Sequence, residues 1–112
     1  METNLKTILV KSKDDSRDRF YSPQFNVSKK VVNLQEWASP VEDQGNLGSC
    51  VGNAIANAYE IMIKHQRPEK YTDLSRLFIY YNARAYSQML YEDSGTSIRD
   101  GLRGMKEFGC CR

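Results

Sequence analysis

Gln44 and Cys50 stand six residues apart in the string Pro40-Val41-Glu42-Asp43-Gln44-Gly45-Asn46-Leu47-Gly48-Ser49-Cys50, immediately before a run of helical spacing. The reacting form of a thiol is the thiolate, so a nucleophilic cysteine needs positive potential nearby. A helix N-terminus supplies part of it. Gly48 and Ser49 suit a cap and first turn, and Val51, Ala54, Ile55, Ala58, Ile61 and Met62 then recur at helical spacing. Cys50 is therefore expected in the first turn, facing backbone amides without helical partners. Acyl transfer also requires donors aimed at the oxygen that turns negative in the tetrahedral intermediate. The backbone N–H of Cys50 and the side-chain amide of Gln44 are suited to that task. Gly45 and Gly48 allow the intervening loop to fold back on itself. The competing reading of a cysteine on an apolar helix is core packing.

The same string resembles the signature Gln-Gly-x-x-Gly-Ser-Cys of papain-like cysteine peptidases, which is followed at once by a long helix. Val32-Asn33-Leu34 stands about a dozen residues upstream, as in that family. Asp15-Ser16-Arg17-Asp18-Arg19-Phe20-Tyr21-Ser22-Pro23 is similar to the Asp-x-Arg-Asp-x-x-Tyr segment that precedes the catalytic domain in bacterial and viral members. Asp93 to Gly101 resembles the glycine-containing turn and helix that line the non-primed side of the substrate cleft. The likeness covers about residues 15 to 112. It implies an α+β fold of which this chain holds the mainly helical N-terminal lobe, the β-rich second lobe being absent. It further implies Cys50 as nucleophile, Gln44 with the Cys50 amide as oxyanion hole, and Ser94 and Gly95 beside the backbone of a peptide or protein substrate. The implied reaction is peptide-bond hydrolysis through a thioester acyl-enzyme, with no metal or organic cofactor. In the secreted members a disulfide-forming cysteine stands three residues before the nucleophile and a tryptophan follows it; here those positions are Leu47 and Val51.

Family members carry the catalytic histidine and its orienting asparagine roughly 130 to 150 residues beyond the cysteine. The single histidine of this chain, His65, falls on the helix that Cys50 opens. Fifteen residues at about 1.5 Å each separate the two by roughly 22 Å, too far for a general base. The expectation is a fragment of a longer peptidase, a half-protein complemented in trans, or a truncated relative without catalysis. The isolated chain is expected to show negligible peptidase activity. The alternative is an inactive papain-like lobe that binds peptides or regulates. Exposed apolar surface is expected where a second lobe docks, with self-association or a complementing partner as its consequence.

Composition sets outer bounds. Of 112 residues, 40% are apolar and 27% charged, and a net charge of +2 argues for neither nucleic acid nor a membrane surface. No stretch reaches the roughly 18 apolar residues of a membrane span, and Lys6 and Lys11 interrupt the apolar start around Ile8, Leu9 and Val10. An intracellular location is the resulting expectation. Three cysteines, with Cys110 and Cys111 adjacent, form neither an even disulfide framework nor a zinc-ligand spacing.

Two parts are expected, a charged and extended arm over residues 1–30 and the helical lobe over 31–112. Val31, Val32 and Leu34 suggest a brief strand, and Trp37 an anchor. Helices are predicted from Ser49 to Gln66, from Thr72-Asp73 with a core stripe of Leu74, Leu77, Phe78 and Tyr81, and from a Thr96 or Ser97 cap through Ile98, Leu102, Met105 and Phe108 to Gly109. Gly101 and Gly104 weaken that last helix, which close approach to a neighbouring helix offsets. Tyr71, Tyr80, Tyr81, Tyr86 and Tyr91 pack the lobe or make a stacking surface. Asp93-Ser94-Gly95-Thr96 also matches the short turn of retroviral-type aspartic peptidases, but the helical period around it lacks the apolar strand that turn requires.

Overall fold

A computed structural model describes residues 8–24 and 31–112. They contain three α-helices: α1 (Cys50–Gln66), α2 (Arg76–Tyr86) and α3 (Ile98–Phe108). Short 3-10 turns lie at Gln35–Trp37 and Pro68–Lys70, and the described residues include no β-strand. Leu9 and Thr96 form one isolated parallel bridge. The expected division into residues 1–30 and 31–112 falls partly on residues outside the described set, 1–7 and 25–30.

Local chemistry sets each helix end. Ser49 precedes α1, and its carbonyl accepts the first helical bond, from the Asn53 N–H at 2.9 Å. Pro68 lacks the N–H needed to continue the helix and begins the next turn instead. Ser75 caps α2 by accepting the Phe78 N–H, and Ser97 caps α3 by accepting the Asp100 N–H. At the end of α3, Gly109 takes a φ of 72°, which glycine adopts without steric cost.

The three helices meet around Val51, Ile55, Ala56, Leu74 and Ile79, with Tyr80 and Ala83 buried beside them. Glycines bring the backbones together. A Cβ on Gly52 would lie 2.7 Å from the Arg76 carbonyl oxygen, one on Gly101 2.5 Å from Ile55 Cδ1, and one on Gly104 3.2 Å from the Ala83 nitrogen. The close approach expected to offset the weak propensity of Gly101 and Gly104 is therefore present.

Three local expectations differ from the structure. Val31, Val32 and Leu34 form no strand; they are exposed, and the Asn33 side chain accepts the Gln35 N–H to turn the chain instead. The second helix starts after its cap at Ser75, not at Thr72-Asp73. Its inward face is Arg76, Ile79, Tyr80, Asn82 and Ala83, whereas Leu77 and Tyr81 are 60% and 52% exposed. Of the expected stripe Leu74 is in the core and Phe78 is half-buried, while Leu77 and Tyr81 give up the buried side to Ile79, Tyr80 and Ala83 with the polar Arg76 and Asn82.

Chief among those polar groups is the Glu60 carboxylate on α1, which is fully buried. It accepts from Ser39 Oγ at 2.6 Å, from the Leu74 N–H at 2.8 Å, and from Arg76 Nη1 and Nη2 at 3.0 and 3.1 Å. Arg76 also meets Asp73 and Glu42, and Ser39 Oγ lies 3.1 Å from the Tyr71 hydroxyl. Burial alone would push the Glu60 carboxyl up; the hydrogen bonds from Ser39, Leu74 and Arg76 outweigh it and hold the group below its ordinary value of 4.5. A carboxyl depressed on folding contributes stability that is fully present above 4.5 and is lost as pH falls through the lower folded value. Glu60→Ala is expected to cost about 3–5 kcal/mol, because it leaves the buried Leu74 N–H without its acceptor and takes from Ser39 and Arg76 the carboxylate they share, Arg76 keeping only Asp73 and Glu42. Urea unfolding at pH 7 measures that loss. Repeated from pH 7 to pH 3, it should show the parent losing stability below 4.5 and the variant losing less.

Candidate functional site

Cys50 is the first residue of α1, partly exposed and packed on the edge of the core. Because Asn53 makes the first helical bond, the amides of Cys50, Val51 and Gly52 sit in the turn that has no helical acceptors. Ser49 before it is buried, and its hydroxyl accepts from Asn53 Nδ2 at 3.1 Å, which fixes the turn from inside.

The loop in front is tied by two local contacts. Asp43 Oδ1 accepts the Gly45 N–H at 2.8 Å, and Gly45 has a φ of 60°. Gln44 Nε2 then donates to the Leu47 carbonyl at 2.7 Å, while the Leu47 N–H reaches back to the Gln44 carbonyl at 3.4 Å. The Gln44 amide, six residues before Cys50, is therefore oriented by the loop it begins.

A third contact crosses the chain. The Gly48 N–H donates to both carboxylate oxygens of Asp93, at 2.9 and 3.1 Å. Tyr80 on α2 donates its hydroxyl to Asp93 Oδ1 at 2.6 Å and accepts the Gly95 N–H at 3.0 Å. Burial, then the bond to Asp93, pushes the Tyr80 phenol up from its usual value, so it stays protonated and able to donate. Arg84 lies 4.0 Å over the Tyr80 ring and donates to the Glu92 carbonyl at 2.8 Å. The residues predicted around Cys50 and around Gly95 are thus joined through Asp93 and Tyr80. Sequence reasoning placed Asp93 at the head of the cleft-lining turn and in a rival aspartic-peptidase turn, and Tyr80 among packing or stacking aromatics, without joining the two. A carboxylate one residue ahead of a Ser-Gly turn, thirteen residues after a tyrosine, is too sparse a signal to find the pair.

Gly95 is buried with a φ of 72°, and its backbone is engaged within the chain: the N–H on Tyr80 and the carbonyl on Ser94 Oγ at 3.1 Å. The neighbouring Thr96 is the residue that pairs with an extended segment, its carbonyl accepting the Val10 N–H at 3.0 Å. Ile8 fills the space beside Gly95 and Gly48. A Cβ on Gly95 would lie 2.3 Å from the Ile8 carbonyl oxygen, and one on Gly48 3.3 Å from Ile8 Cδ1. Sequence patterning gave no sign of this contact.

His65 lies in the last turn of α1, with its ring edge-on to Trp37 at 4.8 Å between centroids. With α1 continuous from Cys50 to Gln66, the helix rise keeps the two side chains roughly 22 Å apart. Among the described residues no three His, Cys, Asp or Glu side chains gather as metal ligands, and no helix is long and apolar enough to cross a membrane.

Known proteins resemble this chain in both sequence and fold. An uncharacterized peptidase C1-like protein of Acanthamoeba polyphaga mimivirus is 43% identical over 83 residues, covering 74% of this chain and 26% of its own length. The crystal structure of xylellain, a cysteine protease from Xylella fastidiosa, superposes with a TM-score of 0.70 at 32% identity, covering 95% of this chain and 40% of xylellain. This chain therefore spans about a quarter of the viral relative and two fifths of the bacterial one. No family profile matches it. The likeness is to papain-like cysteine peptidases, and the helical architecture matches part of that fold.

The fit of Ile8 against Gly95 makes a direct prediction. Gly95→Ala is expected to displace residues 8–10 and cost about 1–3 kcal/mol, from overpacking together with the unfavourable positive φ. Amide hydrogen exchange at Val10 should accelerate with it, while exchange at Ile79 in the core follows only the global loss.

Proposed function

We propose that this chain, carrying the helical part of the papain-like cysteine-peptidase fold, supplies the nucleophile half of a peptide-bond-hydrolysing site. What supports the reading is Cys50 at the opening of α1 with the Gln44 turn tied directly in front of it. In this reading the Cys50 thiolate attacks the substrate carbonyl. The Cys50 N–H and the Gln44 amide receive the resulting oxyanion. Collapse releases the amine and leaves a thioester on Sγ, and water then hydrolyses that thioester and restores the thiol. Ser94 and Gly95 shape the non-primed edge, and a peptide pairs along Thr96.

The amine must leave with a proton, and the thiol must lose one. A histidine with its orienting asparagine performs both tasks only from within hydrogen-bond reach of the sulfur. His65 is outside that reach, so the base comes from residues other than these 112, in a longer polypeptide or a second one. Val31, Val32, Leu34 and Val41 lie just before the nucleophile turn and are 81%, 67%, 48% and 101% exposed. They are a docking surface for that complementing segment, or for a second copy of the chain.

The test uses the 112-residue chain with Cys110 and Cys111 changed to serine. A peptidyl chloromethyl ketone, which reacts through a tetrahedral oxyanion, is compared with iodoacetamide, which does not. Cys50 is expected to react with the peptidyl reagent faster than a free cysteine peptide does, and Gln44→Ala to slow that rate by about a hundredfold. Both variants should react alike with iodoacetamide. Steady turnover of a peptidyl coumarin amide by the chain alone would overturn the assignment of the base. A peptidyl rate no faster than the free peptide's would leave a lobe without a nucleophilic site.

Since Val10 already pairs with Thr96, a peptide on that edge takes the place of residues 8–10. Removal of residues 1–10 is therefore expected to raise the peptidyl rate several-fold, by about the local opening free energy of the segment, with the iodoacetamide rate unchanged.

A further inference from the structure

The geometry points to Asp93, held by Tyr80, as the positioning residue that sets the Cys50 loop against the substrate edge. This inference rests on the reading of Cys50 as nucleophile and goes beyond it by naming what holds the oxyanion donors in place.

Three observations converge on one carboxylate. Gly48, two residues before Cys50, gives its N–H to both oxygens of Asp93 at 2.9 and 3.1 Å. Its position also has no spare room, since a Cβ there would stand 3.0 Å from Asp93 Oδ1. Asp93 is two residues before Gly95, so the acceptor for the nucleophile loop lies on the segment that forms the edge. The Tyr80 hydroxyl then closes the unit by donating to Asp93 at 2.6 Å while accepting from Gly95 at 3.0 Å.

Each part has a physical reason. Hydrogen bonds to an ionised acceptor are shorter and roughly twice as strong as neutral ones. Only a carboxylate accepts from both the Gly48 amide and the Tyr80 hydroxyl with no donor of its own in the way. Tyr80 is fully buried in the middle of α2, with Arg84 stacked over its ring, so the unit is mounted on a rigid element. Displacement of Gly48 swings the Ser49 and Cys50 peptide planes, and with them the amide that faces the developing oxyanion. Misplacing reacting groups by about 1 Å costs up to about a hundredfold in rate. In this arrangement Asp93 acts on Cys50 through Gly48.

The experiment uses the 112-residue chain with Cys110 and Cys111 as serine, and compares Asp93→Ala, Asp93→Asn and Tyr80→Phe. Two quantities are read: the ratio of peptidyl chloromethyl ketone to iodoacetamide rates at Cys50, and amide exchange at Gly48 and Cys50 by NMR. Expected is a ratio lowered about tenfold or more in Asp93→Ala and less in the other two, with faster exchange at both amides. A residue that served stability alone would speed exchange at Ile79 equally and leave the ratio within twofold of the parent; that result overturns the proposal. If Asp93→Ala does not fold, Asp93→Asn and Tyr80→Phe carry the same comparison. Should the parent itself show no peptidyl preference, the nucleophile reading fails. Asp93 is then judged by exchange: selective acceleration at Gly48 and Cys50 supports the positioning, and unchanged exchange there overturns it.

Discussion

The Glu60 carboxylate is the constraint on which the rest of the arrangement depends. An isolated charge in the core is costly, and this one is tolerated because Ser39, the Leu74 amide and Arg76 all donate to it. Those donors come from three separate segments: the stretch before the Gln44–Cys50 loop, the approach to α2, and α2 itself. The demand for partners therefore fixes where α2 lies along α1, and it pins residue 39 before the turn that contains Gln44. A purely apolar contact at position 60 would bury as much surface but would accept many relative placements of the helices. Hydrogen bonds select one.

Downstream of that anchor, the site is built from a chain of short connections. Gln44 is turned by Leu47, Gly48 by Asp93, Asp93 by Tyr80, and Gly95 by the same tyrosine. No disulfide takes part, and Cys50, Cys110 and Cys111 are all free thiols. Polar contacts to Asp93 and a buried phenol hold the Gly48 and Gly95 loops together. Such contacts keep their strength where thiol reductants are present, which a disulfide near the surface does not.

Much of the fold was legible because its signals are local. The start of α1 was placed within one residue by Gly48, Ser49 and the period that follows, and Ser97 and Gly109 marked both ends of α3. What escaped was the choice of inward face. On α2 the buried positions include Arg76, Asn82 and Tyr80, whose polarity cancels the apolar period. On α3 they are Gly101 and Gly104, which carry no hydropathy, so Ile98, Leu102 and Phe108 drew attention while standing about half exposed. For the candidate site, the spacing of Gln44 and Cys50 was readable because one short loop joins Gln44 to the first residue of α1. The role of Asp93 was not, because its partners lie 45 and 13 residues away and only the tertiary structure brings them together.

The beginning of the chain meets the last helix. Arg99 at the start of α3 bonds to the Lys13 carbonyl and to Asp18, across 86 and 81 residues, and Val10 pairs with Thr96 beside it. A ribosome adds about 5–20 residues per second, so on the order of 4 to 17 s pass between synthesis of the arm and synthesis of its partners. Throughout that interval the nascent arm has no α3 to rest on, while α1 and α2, whose contacts are nearer in sequence, are already available to each other. Closure over Thr96 thus has to wait for α3, and the contacts of residues 8–13 with residues 95–99 close among the longest loops between the described residues.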